Sequence, residues 1–245
     1  MAKRFADQPE QTRTSGHTSQ VRDLWNSRAD DWPGKYASGR LAGRLPLFAA
    51  ELHARIGAGR VLDLGCGSGE LARHLASLGY RLTGCDIAPQ MLERAQIADT
   101  DNAVTWVRLE PEWTTLPLLS LSQDAVIASS VLEYVSDISA VLRETARVLR
   151  PNGLLLCTVP DMSHPVRWGE SPLRLVAGIT QFRSLCGRVW PRLGSHLTYL
   201  RLSRQRRSVH WWQAKGRHAG FELVPLANGV VPRARLRMLV FIRSA

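Results

Sequence analysis

Val61-Leu62-Asp63-Leu64-Gly65-Cys66-Gly67-Ser68-Gly69 is the stretch that decides the fold. A short, largely apolar run enters three glycines at alternate positions, and Leu71, Leu75 and Leu78 then mark one face of a helix that stops at Gly79. This order predicts a strand, a glycine turn and a helix. Glycine allows a ligand close to the backbone, where helix N-terminal amides await it. The spacing is GxGxG, not the GxGxxG of dinucleotide binders, and Glu70 stands where the third dinucleotide glycine would fall. A carboxylate at that helix start repels a pyrophosphate but accepts a ligand without phosphates, such as one carrying an ammonium and a sulfonium.

Upstream, Leu45, Phe48, Leu52 and Ile56 recur at helical spacing, and Gly57 to Gly59 end that helix. Downstream, strands are predicted at Arg81 to Cys85, Val104 to Leu109, Asp124 to Ala128 and Leu154 to Val159. Pro89 suits the first turn of one intervening helix. Ile138, Val141, Leu142, Thr145, Val148 and Leu149 mark the buried face of another, which Pro151-Asn152-Gly153 turns into the last of these strands. Strands alternating with helices imply right-handed crossovers and an α/β, Rossmann-like, doubly wound, mostly parallel seven-stranded sheet. Asp86 closes the second strand 21 positions after Gly65, near the ~20-residue offset at which an acidic residue reaches ribose hydroxyls in such folds. Glycine turn and acidic residue together call for a nucleoside ligand. The alternative is a bare tight turn, with Asp86 capping the next helix.

Past Val159 the rhythm changes. Phe221 to Pro225 and Leu236 to Ile242, separated by Gly229 and Pro232, predict a closing hairpin. Between lies a helical insertion before the last two strands, with Ser171 as cap and Pro172 in the first turn of its first helix. Leu175, Ile179, Phe182, Cys186 and Val189 form one stripe of that helix, and Arg174, Arg188 and Arg192 fall on another side. The expected organisation is a disordered polar tail over 1–20, an N-terminal cover over 21–58, a core over 59–160, a basic helical lid over 161–220 and closing strands over 221–245.

With 44% hydrophobic and 22% charged residues, the 245-residue chain can bury a substantial core. Its apolar runs fall short of the roughly 18 residues that cross a bilayer, and Met1 to Gln20 lacks the apolar stretch of a secretory signal. A cytoplasmic protein, membrane-peripheral at most, is expected. Cys66, Cys85, Cys157 and Cys186 have no CxxC spacing, so neither zinc nor a disulfide framework is indicated, and no metal is expected. The net charge of +11 is uneven: residues 1–160 hold 17 Lys/Arg and 18 Asp/Glu, whereas 161–245 hold 15 and 3. The last third faces something anionic or is simply well solvated.

Four motifs in order resemble the class I S-adenosylmethionine-dependent methyltransferases, in particular the small-molecule branch of ubiquinone and menaquinone biosynthesis. They are Val61 to Gly69; Gly84-Cys85-Asp86-Ile87-Ala88-Pro89-Gln90-Met91-Leu92; Asp124 to Ile127 with Ser129-Ser130-Val131-Leu132-Glu133-Tyr134-Val135; and Ala146-Arg147-Val148-Leu149-Arg150-Pro151-Asn152-Gly153. The resemblance covers roughly Gly59 to Pro160. It implies S-adenosyl-L-methionine as cofactor. Asp63 and the loop of Gly65, Cys66, Gly67 and Gly69 would hold its methionine end, Asp86 its ribose hydroxyls, and Ile87 would pack on the adenine. Glu110 aligns with a position that accepts from the adenine amino group, although Arg108-Leu109-Glu110-Pro111 departs from the usual pattern. Ser129 and Ser130 would line the methionine portion or merely cap the strand end. Trp25, Trp32 and Tyr36 resemble the aromatic segment that covers the cofactor in these enzymes, where aromatic faces attract a sulfonium; surface packing is the alternative.

Methyl transfer is an in-line displacement, so the protein mainly orients and desolvates, with a base only where the acceptor must lose a proton. The candidates at the substrate mouth are Glu133, Tyr134, Asp161, His164 and His210, each weighed against a solvated or structural role. In part of the branch a His takes the place of Tyr134, which puts a carried-over base or metal role in doubt. The expected reaction is O-methylation of a small-molecule or lipid-like, anionic substrate, with Arg of the insertion holding a carboxylate or phosphate. A variant lays the basic amphipathic helix on an anionic membrane. Two other readings compete. One is an RNA methyltransferase using Arg201, Arg204, Arg206, Arg207, Lys215 and Arg217 with Tyr199, Trp211 and Trp212, although Ser129-Ser130-Val131 lacks the Asn/Asp-Pro-Pro-aromatic signature of base methylation. The other is a catalytically silent cofactor-binding partner subunit.

Overall fold

The computed structural model describes residues 10–37, 41, 43–227 and 235–245. Three helices, α1 (Glu10–Asn26), α2 (Trp32–Ala37) and α3 (Arg44–Ile56), precede the sheet. Then β1 (Arg60–Leu64), α4 (Glu70–Ser77), β2 (Arg81–Asp86), α5 (Pro89–Ala98), β3 (Val104–Arg108) and β4 (Gln123–Ser129) alternate. A 3₁₀ turn at Leu132–Tyr134 leads to α6 (Ile138–Val148) and β5 (Leu149–Pro160). The insertion holds α7 (Val166–Ala177), α8 (Thr180–Val189), α9 (Pro191–Leu202) and α10 (Val209–His218), and β6 (Phe221–Val224) and β7 (Leu236–Arg243) close the chain.

The seven strands run in the order β3-β2-β1-β4-β5-β7-β6. The first five are parallel, while β7 is antiparallel to both β5 and β6. The expected α/β sheet and its closing antiparallel pair are therefore present. Gly229 and Pro232 lie outside the described residues. Strands β1 and β5 are nearly continuous buried apolar runs, as a sheet covered on both faces requires. One face packs Leu62, Val126, Leu155 and Phe241 against α6 and Trp212 of α10. The other packs Val61, Ile127, Leu156 and Val240 against Phe48, Leu52 and Leu75 of α3 and α4. Local signals agree with this packing: Asp137 accepts from the Ala140 amide at 2.9 Å to start α6, and Pro89 begins α5. Strand order reverses between β1 and β4, the crevice where ligands bind in doubly wound folds.

Two expectations are corrected. Glu10 to Gln20 belongs to α1 and is not a disordered tail, whereas residues 1–9 lie outside the described residues. His17 and Val21 are buried, and His17 Nε2 bonds the Tyr134 carbonyl at 2.9 Å, so tertiary docking orders a segment whose composition reads as polar. The insertion is also not entered by one long helix at Ser171 and Pro172. Helix α7 starts five residues before Ser171 and carries Pro172 inside it, while Gly178 and Pro191 divide the stretch into three helices. Arg167 and Glu170, ion-paired and buried, hold the earlier start in place. Consequently Arg174, Arg188 and Arg192 sit on three different helices.

Candidate functional site

A cavity of about 580 Å³ opens at the switch point, between the ends of β1, β2 and β4 and helices α1 and α2. The sequence of the glycine loop explains its floor. Gly65, Gly67 and Gly69 all have positive φ, at 72°, 55° and 81°, and Gly69 starts α4 from that left-handed conformation. A Cβ on Gly65 would lie 2.5 Å from Val131, and one on Gly69 2.4 Å from Trp106, so these two glycines serve close packing. At Gly67 a Cβ would meet only ordinary contacts with Trp32 and Met91, on the side open to a ligand.

Asp63 and Asp86 share this end of the sheet in different circumstances. Asp86 Oδ2 accepts from the Gly67 amide and Oδ1 from the Ala88 amide, both at 2.8 Å, so it ties the loop to β2. Burial pushes its carboxyl above the ordinary range, and those amides draw it back down. Asp63 is buried still more deeply, but neither of its oxygens has a partner. Burial, with the negative charges of Asp86 and Glu70 beside it, raises its carboxyl to about 8. A buried acceptor left without donors is costly, and here it lines a cavity. The carboxylate group is therefore suited to a cationic ligand group.

The aromatic segment arrives from α1 and α2. Trp25, Trp32 and Tyr36 line the cavity, with Trp25 edge-on to Trp32 (4.8 Å between centroids) and to Tyr134 (5.6 Å). Cys66, Ile87, Ser129 and Ser130 also line it. Thus Asp63, Gly65, Cys66, Gly67, Asp86, Ile87, Ser129, Trp32, Tyr36 and Tyr134 are brought together. Other expected residues are not. Gly69 acts from behind the loop, and Glu110 is exposed beside the wall, whose acidic member there is Glu112.

His164 also lies outside the cavity wall: its Nδ1 accepts from the Val166 amide and helps begin α7. Asp161 pairs with Arg237, and His210 is exposed on α10. Glu133 faces away from the cavity, accepting from Ser203 Oγ at 2.7 Å and Tyr199 OH at 3.2 Å. Arg206 joins Tyr199, Ser203 and Glu170 to the same buried cluster, which fastens the insertion to the 3₁₀ turn behind Tyr134. Tyr134 itself is almost fully buried, and burial next to Glu133 holds its phenol far above the usual value. It can donate a hydrogen bond but is no base. Glu112, Trp113 and Thr114 after β3, and Val135, Ala140 and Val141 around the start of α6, complete the wall. Sequence spacing gave no sign of Glu112, Trp113 and Thr114, since the loop between β3 and β4 carries no periodic pattern.

The fold and a nucleoside-sized cavity with an unpartnered acid define the class: a doubly wound domain with a ligand crevice at its switch point. Residues 62–157 match the family described as "Methyltransferase domain". A ubiquinone biosynthesis O-methyltransferase of Xanthomonas oryzae is 34% identical over 116 residues, 46% of this chain and 46% of that one. A demethylmenaquinone methyltransferase of Tropheryma whipplei is 32% identical over 155 residues, 62% and 63% of the two chains. The matches thus span from about half to less than two thirds of these curated relatives. Among solved structures, magnesium protoporphyrin IX methyltransferase of Synechocystis with bound S-adenosylhomocysteine superposes with a TM-score of 0.63 at 18% identity, over 92% of this chain and 99% of that one. Residues 62–157 of this chain are thus similar to a methyltransferase domain, and the wider likeness to the solved structure is one of fold.

Proposed function

We propose that the chain transfers a methyl group from S-adenosyl-L-methionine to oxygen of a small or lipid-like acceptor. The observation that carries this reading is Asp63, a residue of the cavity wall beside the glycine loop whose two carboxyl oxygens are buried without a partner. The residues fit the cofactor: Asp63 would take its ammonium, the loop of Gly65, Cys66 and Gly67 would lie against its methionine end, Asp86 would take its ribose hydroxyls, and Ile87 would pack on its adenine. Trp25, Trp32 and Tyr36 would close over it, and their ring faces favour a cation. Ser129 would lie near the methionine portion, and Glu112 supplies the acidic group near the adenine that Glu110 does not. When bound, the cofactor supplies a methyl group made electrophilic by its sulfonium.

The chain's own contribution is orientation and exclusion of water. Trp113, Tyr134, Val135 and Val141 give the remaining wall an apolar, aromatic character that suits a ring or isoprenoid-like acceptor, with the Tyr134 hydroxyl available to orient it. Neither His164 nor Glu133 reaches this wall, so a base role for them loses support. The names of the relatives, a ubiquinone O-methyltransferase and a demethylmenaquinone methyltransferase, favour a quinone-like acceptor. Delivery from a membrane surface is supported by Trp168, Leu175, Ile179, Phe182, Leu185, Val189 and Trp190, all exposed on α7, α8 and their ends, with Arg174, Arg188 and Arg192 among them. The RNA reading loses support because Arg206 and Trp212 are buried and Tyr199 bonds Glu133.

The test is incorporation of methyl-labelled S-adenosylmethionine in host-cell extract, partitioned into lipid, small-molecule, nucleic-acid and protein fractions. Label is expected in the lipid or small-molecule fraction; label in RNA would overturn the acceptor class, and cofactor binding without turnover would favour a silent subunit. Asp86→Ala should weaken cofactor binding more than tenfold by calorimetry, since charge-assisted hydrogen bonds contribute ~1.5–3 kcal/mol.

A further inference from the structure

A second groove, about 560 Å³, lies on the opposite side of α1 from the cofactor cavity. Helix α1 turns Thr18, Val21 and Trp25 toward the cavity and Gln20, Asp23 and Leu24 toward the groove. Its other walls are α8 and α9, which approach closely where a Cβ on Gly194 would come within 2.5 Å of the Gly187 Cα. Two guanidinium groups enter it, Arg183 from α8 and Arg201 from α9. Arg183 Nη1 donates to the Ala177 carbonyl at 2.8 Å, and Arg201 Nη2 to Gln20 Oε1. The Arg201 Nε is buried without an acceptor. Neither guanidinium has a carboxylate partner among the described residues, and the groove's one acid, Asp23, is paired with Arg22 at 2.9 Å. From Ser171 through Phe221 the chain has ten Lys/Arg and no Asp/Glu, and the insertion's two acids, Asp161 and Glu170, pair with Arg237, Arg167 and Arg206 instead.

We propose that this groove binds a phosphoryl-bearing anion. Guanidinium forks on two helices, with hydroxyls of Ser184 and Ser195 between them, offer donors from several directions to a group with several acceptor oxygens. The exposed apolar residues Phe182, Leu185 and Val189 lie on the same helix as Arg183, so the phosphoryl group could come from a lipid headgroup as well as from a soluble compound. The site does not depend on the methyl-transfer reading, because none of its groups lines the cofactor cavity.

The experiment is calorimetric titration of the full chain with inorganic pyrophosphate at low ionic strength, paired with flotation on phosphatidylglycerol and phosphatidylcholine vesicles. Submillimolar pyrophosphate binding is expected, weakened at least fivefold in Arg183→Gln and Arg201→Gln and strengthened in Asp23→Asn, with S-adenosylmethionine affinity unchanged. Asp23→Asn keeps the test decisive if an arginine variant folds poorly. Binding to phosphatidylglycerol vesicles that pyrophosphate competes away and Arg183→Gln loses assigns the lipid headgroup. Pyrophosphate binding without vesicle preference assigns a soluble ligand. Absence of both, or pyrophosphate binding indifferent to all three substitutions, overturns the proposal.

Discussion

Asp63→Asn is expected to weaken S-adenosylmethionine binding by at least a hundredfold at pH 8 while raising the melting temperature of the ligand-free protein by several degrees. The two effects share a cause. In the free protein the carboxyl is buried with both oxygens unpartnered beside Asp86 and Glu70, which raises it from 3.8 to about 8. A folded-state value above the unfolded one means that its contribution to stability is fully present below about pH 4 and is lost as pH rises through about 8. The neutral amide avoids that loss, so the gain in melting temperature should be largest at pH 8 and above and should fade toward pH 4. With roughly 2–4 °C per kcal/mol for a chain of this size, several degrees is the expected scale. The same amide cannot pair with an ammonium ion, hence the loss in binding. Thermal melts across pH 5–9, alongside calorimetry, check both halves. Lowered stability together with unchanged affinity would mean that Asp63 is an ordinary packing residue.

Gly65→Ala is expected to destabilise the fold by about 2–5 kcal/mol, from left-handed strain of ~1–2 kcal/mol and overpacking of ~1–3 kcal/mol. At φ 72° the added methyl lies 2.5 Å from Val131 Cγ2 and 2.7 Å from its Cβ, between the loop and the turn that precedes Tyr134. Gly79→Ala is the control, because φ there is 91° but no atom lies within 4 Å of the new Cβ. It should show the conformational part alone, about 1–2 kcal/mol. Urea unfolding of the three proteins tests the difference; equal losses at the two positions would show that Val131 yields and that the loop is not held by that contact.

The strand and helix order from Val61 to Val159 was legible because the central strands β1, β4 and β5 carry the buried apolar runs Val61-Leu62, Ala125 to Ala128 and Leu154 to Cys157, the signature of parallel strands covered on both faces. Asp63 and Asp86 were legible for the same reason: acids inside or at the end of such runs need a use. What was hidden depends on tertiary contact. Helix α1 draws its order from His17 and Val21 docking on the turn at Tyr134, which no local pattern announces. The division of α7, α8 and α9 was obscured because Leu175, Ile179, Phe182 and Val189 keep a helical period while lying exposed, so the stripe marks no core. Glu133 sits one residue from a cavity-lining tyrosine yet faces the other way, into Ser203 and Tyr199. Adjacency in the chain said nothing of that direction.

The most direct measurement is calorimetric titration of the full chain with S-adenosylmethionine at pH 7 in two buffers of different ionisation enthalpy. A protonated Asp63 carboxyl that must ionise to pair with an ammonium predicts one-to-one binding with release of close to one proton, falling away in Asp63→Asn. No binding, or binding of equal strength in both proteins without proton release, would contradict the assignment of this cavity to the cofactor.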